Sequence, residues 1–205
     1  QFVILGAGVL GRAAARGALG LGAHVTVLDT SIARLRVAAT GLGGPVTTML
    51  STQPNLEKAL GFADLVLGAA ALHGQRAPLL VTREMLSGMK PRSVVMDLSI
   101  DMGGCFETSR PTAFPDATYV VDEITHFCVP NLPSIAARSA TLALTNAQLP
   151  FLERIAGEGL EAALAALPEL ARGTYLHRGR CVRESLARTH GIPFVPLNVS
   201  PERQS

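Results

Sequence analysis

Three glycines near the start of the chain have the spacing of a phosphate-binding turn. Gly6, Gly8 and Gly11 follow the apolar run Phe2-Val3-Ile4-Leu5 and precede an alanine-rich segment. In such a turn the first glycine permits a tight bend, the second lets a pyrophosphate approach the backbone, and the third lets a helix pack on a strand. The amides at the helix start can then bind phosphate. The pattern alone is a weak signal, because any turn that needs small residues can have it.

An acidic residue stands at the interval expected for ribose recognition. Asp29 ends a second apolar run and lies 18 residues after the last glycine of the turn. This is close to the ~20 residues at which an acid accepts hydrogen bonds from the adenosine ribose. A carboxylate there repels a 2′-phosphate, so NAD is favoured over NADP, a preference that the nearby Arg34 and Arg36 weaken slightly. The alternative role for Asp29 is a helix cap, which Thr30 or Ser31 could also provide.

The elements that must position these residues alternate along the chain. Strands are predicted over residues 2–5, 24–28, 46–50, 65–67, 93–96, 118–121 and 125–129, and helices over residues 12–19, 55–61 and 82–88. Continuous apolar runs separated by helices are typical of a parallel sheet that is buried on both faces. The expected fold class is therefore α/β, a doubly wound parallel sheet of the Rossmann type. Its ligand would lie at the carboxyl ends of the strands.

The sequence changes character at Pro133. Residues 142–152 and 157–167 have apolar side chains at helical spacing, and a polar tail follows from Arg172, with turn residues at 191–193. Helices with an apolar stripe must bury it. We therefore expect a nucleotide-binding domain over residues 1–133, and over residues 134–205 helices that belong to a second domain, mostly absent from this chain.

Composition favours a soluble, cytoplasmic enzyme. Eighteen basic and sixteen acidic residues leave no field that would gather nucleic acid or anionic lipid, and no apolar run is long enough for a membrane span. Cys105, Cys128 and Cys181 are widely spaced, which indicates reduced thiols. Neither they nor the scattered His24, His177 and His190 have metal-ligand spacing, so no metal is expected.

Seven stretches of the chain resemble the alanine dehydrogenases, whose relatives include the nicotinamide nucleotide transhydrogenases. They are GAGVLG, VTVLD, APLLVTREML, MKPRSVVMD, IDMGGCFETSRPT, FCVPNLP and ALTNAQLP. The resemblance covers nearly the whole chain, and transhydrogenases lack the CFETSRPT text. It implies the C-terminal part of an NAD-dependent enzyme that forms homohexamers and oxidatively deaminates L-alanine to pyruvate and ammonium. A substrate domain would precede Gln1.

The resemblance also assigns residues to the cofactor. Gly6, Gly8 and Gly11 would shape the pyrophosphate turn, and Asp29 would hold the ribose. Arg34 would lie at the adenine edge. Ser51 would lie near the adenine, although a plain turn serine is an equal alternative. Residues 69–72, with Ala70 at their centre, would line the cofactor, or they are a structural apolar run.

The loop after the fifth strand would carry the chemistry. The resemblance places Leu98, Asp101, Asn131 and Leu132 around the nicotinamide and substrate, with Asp101 as the catalytic residue. The alternative for Asp101 is a loop acid that caps a backbone turn, and turn asparagines are common as well. In the family a His, a Lys and an Arg from the preceding domain complete the site.

Three residues of this chain could replace those absent groups. His126 could be a general base, although a core or surface histidine is the more frequent fate of such a residue. His73 could touch the cofactor or lie in a solvated loop, and Arg110 could meet an anion or form a structural salt bridge.

Two departures from the family affect positions that bear on substrate preference and turnover. Met102 stands where glutamine is common, and Ser134 to Ser139 replaces proline-containing text. A non-catalytic NAD(H)-binding module or a transhydrogenase-like domain therefore remains the alternative function.

Overall fold

The computed structural model describes residues 1–71 and 75–198, and the chain divides into two compact units, Gln1–Leu132 and Pro133–Ser205. Within the described ranges, no helix is long and apolar enough to cross a membrane. Two short 3-10 turns, at Ile100–Met102 and Leu132–Ala136, accompany the regular elements.

The first unit contains a seven-stranded sheet with helices between its strands. Its elements in chain order are β1 (Phe2–Leu5), α1 (Val9–Gly20), β2 (Val25–Asp29), α2 (Ile32–Gly41), β3 (Val46–Leu50), α3 (Gln53–Phe62), β4 (Leu65–Gly68), α4 (Arg83–Leu86), β5 (Val94–Asp97), β6 (Thr118–Val121) and β7 (Ile124–Phe127). The strand order is β3-β2-β1-β4-β5-β7-β6. This is the doubly wound, Rossmann-like architecture, in which the chain reverses direction across the sheet between β1 and β4.

One strand departs from the predicted parallel sheet. β6 pairs antiparallel with β7 at the edge, whereas every other pair in the sheet is parallel. The two strands are joined by Asp122 and Glu123, which both have positive φ, 51° and 62°. A two-residue turn with positive φ at both positions matches the twist of a hairpin, so the strands must run antiparallel.

Each face of the sheet has its own hydrophobic core. Val3 and Leu5 belong to one cluster, while Ile4, between them, belongs to the other. Neighbouring residues of a strand point to opposite faces, so the two clusters lie on opposite sides of the sheet. Each fully buried Leu, Ile or Val side chain contributes roughly 1.5–3 kcal/mol. The continuous apolar runs of the strands therefore serve both layers of helices.

The second unit is mostly helical. It contains α5 (Ala137–Glu158), α6 (Leu160–Ala166), α7 (Pro168–Gly173), β8 (Leu176–His177), β9 (Arg180–Cys181) and α8 (Glu184–His190). The helix predicted over residues 142–152 is thus one longer helix that runs through Pro150. The predicted polar tail contains a small hairpin and α8, which is capped by Gly191 in the left-handed conformation. The turn at residues 191–193 was predicted, whereas the two strands of the hairpin and α8 are too short for hydrophobic periodicity to reveal them.

Candidate cofactor-binding site

A large cleft of the first unit lies at the carboxyl ends of the parallel strands. It measures about 500 Å³, within the range of small-molecule sites, and it opens beside β1 and β4, where the strand order reverses. Its lining residues are Gly6, Gly8, Val9, Leu10, Arg12, Leu28, Asp29, Thr30, Arg34, Ser51, Ala69, Ala70, Ala71, Pro78, Leu80, Leu98, Ser99 and Met102. Segments that are far apart in sequence meet here because each follows a strand of one sheet.

The glycine turn that follows β1 forms one wall of the cleft. Gly6 has φ +117°, and a Cβ atom there would lie 2.5 Å from the Ala69 carbonyl oxygen. A methyl group on Gly11 would overlap the Gly6 carbonyl, so this glycine does not line the cleft but lets α1 pack against the turn. A methyl group on Gly8, by contrast, would have no atom within 4 Å. The middle of the turn is therefore open toward a ligand.

Asp29 faces the same turn from the end of β2. Its side chain is 6% exposed. Oδ2 accepts a hydrogen bond from the Ala7 amide at 2.8 Å, and Oδ1 accepts one from the Ser31 amide at 2.7 Å. Each carboxylate oxygen has a second lone pair for a further donor. Ser31, not Asp29, caps α2, because the Ser31 Oγ accepts from the Arg34 amide at 3.4 Å.

Three further predicted cofactor residues also line the cleft. The Arg34 Nη1 lies 3.8 Å from the Asp29 Oδ2. The Ser51 amide donates to the Asp29 carbonyl at 3.0 Å. Ala70 lines the cleft, and its carbonyl accepts a hydrogen bond from the Ser99 Oγ at 2.7 Å. Leu72 and His73, which were also candidates, lie outside the described residues.

The loop after β5 is only partly brought into the cleft. Leu98 and Met102 line it, whereas Asp101, Asn131 and Leu132 are not among its lining residues. Asp101 is exposed on the 3-10 turn, and its carboxylate accepts from the Asn131 amide at 3.0 and 3.2 Å. Asn131 has φ +52°. Asp101 thus caps a backbone turn, one residue from the cleft wall, and its side chain stays open to solvent.

Asp97 anchors this loop from beneath. Its side chain is 1% exposed. The carboxylate accepts from the Ser99 amide at 2.9 Å, from the Cys105 amide at 2.8 Å and from the Ser109 hydroxyl at 2.6 Å. Burial, followed by the nearby Asp97 charge, raises the pKa of the Cys105 thiol, which stays protonated. The buried Asp97 carboxylate therefore binds the segments before and after Asp101 in this loop.

His126 is a core histidine in this structure. It is fully buried, its Nδ1 lies 3.0 Å from the Ile124 carbonyl oxygen and its Nε2 lies 2.7 Å from the Thr108 hydroxyl. Its ring stacks on Tyr119 with centroids 5.0 Å apart, and the Arg110 guanidinium lies 4.0 Å from the Tyr119 ring centroid. Neither His126 nor Arg110 lines the cleft, so neither replaces a family residue there.

Arg12 and Ser99, which line the cleft, and Asp97, beneath its loop, are not among the residues predicted from the sequence. A basic residue directly after the third glycine is the sequence signal for Arg12. An acid at the carboxyl end of a predicted strand was the available signal for Asp97. Among the described residues, no group of three or more His, Cys, Asp or Glu side chains could hold a metal ion.

The residues present fit a dinucleotide. The turn leaves space at Gly8, α1 has no acidic residue in its first turn, and a carboxylate stands opposite. Fold and cleft together define a nucleotide-binding domain of the Rossmann class.

Comparison with known proteins narrows this class to one family. Residues 1–184 match the family model described as alanine dehydrogenase/PNT, C-terminal domain, and the chain belongs to this family. It is 48% identical to the alanine dehydrogenase of Halomonas elongata over 95% of this chain and 53% of that protein. It is 42% identical to that of Mycolicibacterium smegmatis, over 95% and 52%. The chain therefore spans about half the length of the curated relatives that it matches.

Solved structures agree in fold. An L-alanine dehydrogenase superposes with a TM-score of 0.81 at 38% identity, covering 93% of this chain and 52% of that one. A transhydrogenase from Sinorhizobium meliloti superposes with a TM-score of 0.71 at 30% identity, covering 90% and 49%.

Proposed function

We propose that this chain is the NAD-binding portion of an alanine dehydrogenase, which oxidatively deaminates L-alanine to pyruvate and ammonium in a reversible reaction. The observation that carries the proposal is the cleft in which the glycine turn and the Asp29 carboxylate face one another. Similarity supports the choice of substrate, because the chain is 38% identical to the L-alanine dehydrogenase structure and 30% identical to the transhydrogenase structure.

The proposed binding mode assigns one role to each end of the cleft. The amides around Gly8 and the start of α1 bind the pyrophosphate. Asp29 accepts hydrogen bonds from the adenosine ribose and disfavours a 2′-phosphate, so NAD is the cofactor. Arg34, beside Asp29, and Ser51 flank the adenosine, while Ala70 and Leu98 line the opposite end, where the nicotinamide would lie.

The bound nicotinamide supplies the hydride acceptor. This chain's residues orient the reacting groups and exclude water on one side of them. Asp101 is the proposed catalytic residue, because its exposed carboxylate is held at a fixed position by the Asn131 amide. There it stabilises developing positive charge on the substrate nitrogen. The proton acceptor and the cations for the substrate carboxylate would come from residues outside this chain.

Assembly and location complete the proposal. The family resemblance leads us to expect a homohexamer in the cytoplasm, and the buried free thiols Cys105, Cys128 and Cys181 agree with a reducing compartment. Light scattering of the complete protein tests the assembly.

Replacing Asp101 tests the catalytic assignment in the complete protein, with its substrate domain. We expect Asp101→Ala to lower kcat for L-alanine by about 10²-fold or more, as loss of an electrostatic stabiliser does. The dissociation constant for NADH should change less than about threefold, because Asp101 is not part of the cleft wall. Absorbance at 340 nm and NADH fluorescence titration give the two values, with the exposed Asp116→Ala as control. An unchanged rate for Asp101→Ala would remove Asp101 from the mechanism.

If the complete wild-type protein binds NADH but does not oxidise L-alanine, the result would favour the alternative function, a non-catalytic binding module. Hydride exchange between two nicotinamide nucleotides without alanine would instead favour the transhydrogenase-like alternative.

A further inference from the structure

Arg12 is the basic residue of the cleft that the binding mode above does not use. It lies in the first turn of α1, directly after the third glycine, and it lines the cleft together with Gly8 and Val9. Its Nη1 donates a hydrogen bond to the Ala7 carbonyl at 2.7 Å. The side chain is thus fixed across the glycine turn, and its position does not depend on a flexible surface rotamer.

Among the described residues, the other side-chain donors of Arg12 have no acceptor and can bind a ligand. A guanidinium has five N–H groups in a rigid plane, and the bond to Ala7 uses one of them. Within residues 1–71 and 75–198, Arg12 forms no ion pair with an acidic side chain. A half-buried guanidinium without a carboxylate partner, at the edge of a cleft, favours an anionic ligand.

The two other charged side chains of the cleft lie at its adenosine end. Asp29 bonds to Ala7 and Ser31, and Arg34 lies next to Asp29. Arg12 instead reaches Ala7 from the helix side of the turn, beside Gly8, where even a methyl group would meet no atom within 4 Å. An anion bound at Gly8 would accept hydrogen bonds from the backbone amides of the turn and from the charged guanidinium of Arg12.

We propose that Arg12 is a phosphate-binding residue, which adds a charge-assisted contact to the dinucleotide pyrophosphate beside the backbone amides of the glycine turn. This inference rests on the proposed dinucleotide binding. If Arg12 binds the diphosphate, the affinity for the ligand should depend more strongly on the diphosphate and on ionic strength than it would if only backbone amides bound it.

Arg16 offers a matched control on the same helix. It lies one turn after Arg12, and its Nη2 likewise donates to a backbone carbonyl, that of Gly41, at 3.3 Å. Arg16 is exposed and does not line the cleft. Arg12→Gln and Arg16→Gln therefore remove the same charge from the same helix, one at the cleft and the other outside it.

The test measures binding by the 205-residue chain and needs no turnover. Affinities for ADP-ribose and for adenosine are obtained by competition against NADH fluorescence, at low and at high salt. We expect Arg12→Gln to weaken ADP-ribose binding roughly tenfold or more at low salt and to leave adenosine binding within about twofold. Arg16→Gln should leave both within about twofold. Arg12→Lys, which keeps the charge, should lie between wild type and Arg12→Gln, and it serves as the second variant if Arg12→Gln does not fold.

Two results would overturn the inference. One is equal ADP-ribose affinity for Arg12→Gln and Arg16→Gln. The other is an equal loss for adenosine and ADP-ribose in Arg12→Gln, which would mean that Arg12 only shapes the turn. A wild-type chain that binds neither NADH nor ADP-ribose would instead contradict the proposed function, so the two failures are distinguishable.

Discussion

At the scale of single residues, Asp29 and Asp97 show that two buried acids at strand ends can have different surroundings. Asp29 and Asp97 both end parallel strands and both are buried, yet Asp29 borders the cleft and Asp97 is enclosed by its own loop. The sequence predicted the position of Asp29 because glycine spacing and distance along the chain suffice for it. The sequence signal for Asp97, an acid at the end of a predicted strand, does not reveal its structural role, because its partners come from residues 99–109.

His126 makes stability depend on pH. Burial lowers its pKa below the ordinary value of about 6.5, so the unfolded chain binds a proton more readily than the folded one. The contribution of neutral His126 to the free energy of unfolding is therefore fully present above about pH 6.5, and it declines as the pH falls toward the folded-state pKa. We expect a loss on the order of 1 kcal/mol per pH unit in this window.

Urea unfolding of the chain between pH 5 and pH 8 measures the His126 effect. His126→Gln should flatten the decline, while the exposed His24→Gln should retain it. An equal slope in wild type and His126→Gln would show that another group causes the acid sensitivity.

At the scale of elements, the sequence predicted where the strands lie, but it did not predict that β6 runs antiparallel. Continuous apolar runs placed β1 to β5 within a residue or two. The direction of β6 depends on the turn at Asp122 and Glu123, which lacks the glycine that usually marks a hairpin. The extent of α5 was underestimated, because Ala137 to Thr141 carries little apolar periodicity and the helix continues to Glu158.

The packing of α1 against the glycine turn depends on Gly11. A methyl group there would overlap the Gly6 carbonyl, which is backbone and cannot move cheaply. We expect Gly11→Ala to lower the free energy of unfolding by about 1–3 kcal/mol and to weaken NADH binding more than tenfold.

Gly17, on the same helix, is the matched control. A methyl group on Gly17 would have no atom within 4 Å, so Gly17→Ala should stabilise the chain by about 0.5–1 kcal/mol and spare binding. Urea unfolding and NADH titration check both variants. If Gly11→Ala behaved like Gly17→Ala, the close contact between helix and turn would be wrong.

At the scale of the whole molecule, the cleft belongs to one unit, whereas the proposed catalytic residue lies outside the cleft wall. The first unit accounts for every lining residue of that cleft. The chain matches about half the length of its relatives, and Asp101 is not part of the cleft wall. The placement of Asp101, Asn131 and Leu132 around a substrate therefore stays a prediction.

The central claim is that the glycine turn and Asp29 bind NAD(H), and calorimetric titration of the 205-residue chain tests it most directly. The account predicts that NADH binds at least about tenfold tighter than NADPH. Asp29→Ala should weaken NADH by about tenfold or more, since two ribose hydrogen bonds to a charged acceptor are lost, and Asp116→Ala should not. Equal NADH affinity for Asp29→Ala and wild type, or no binding by the wild-type chain, would contradict it.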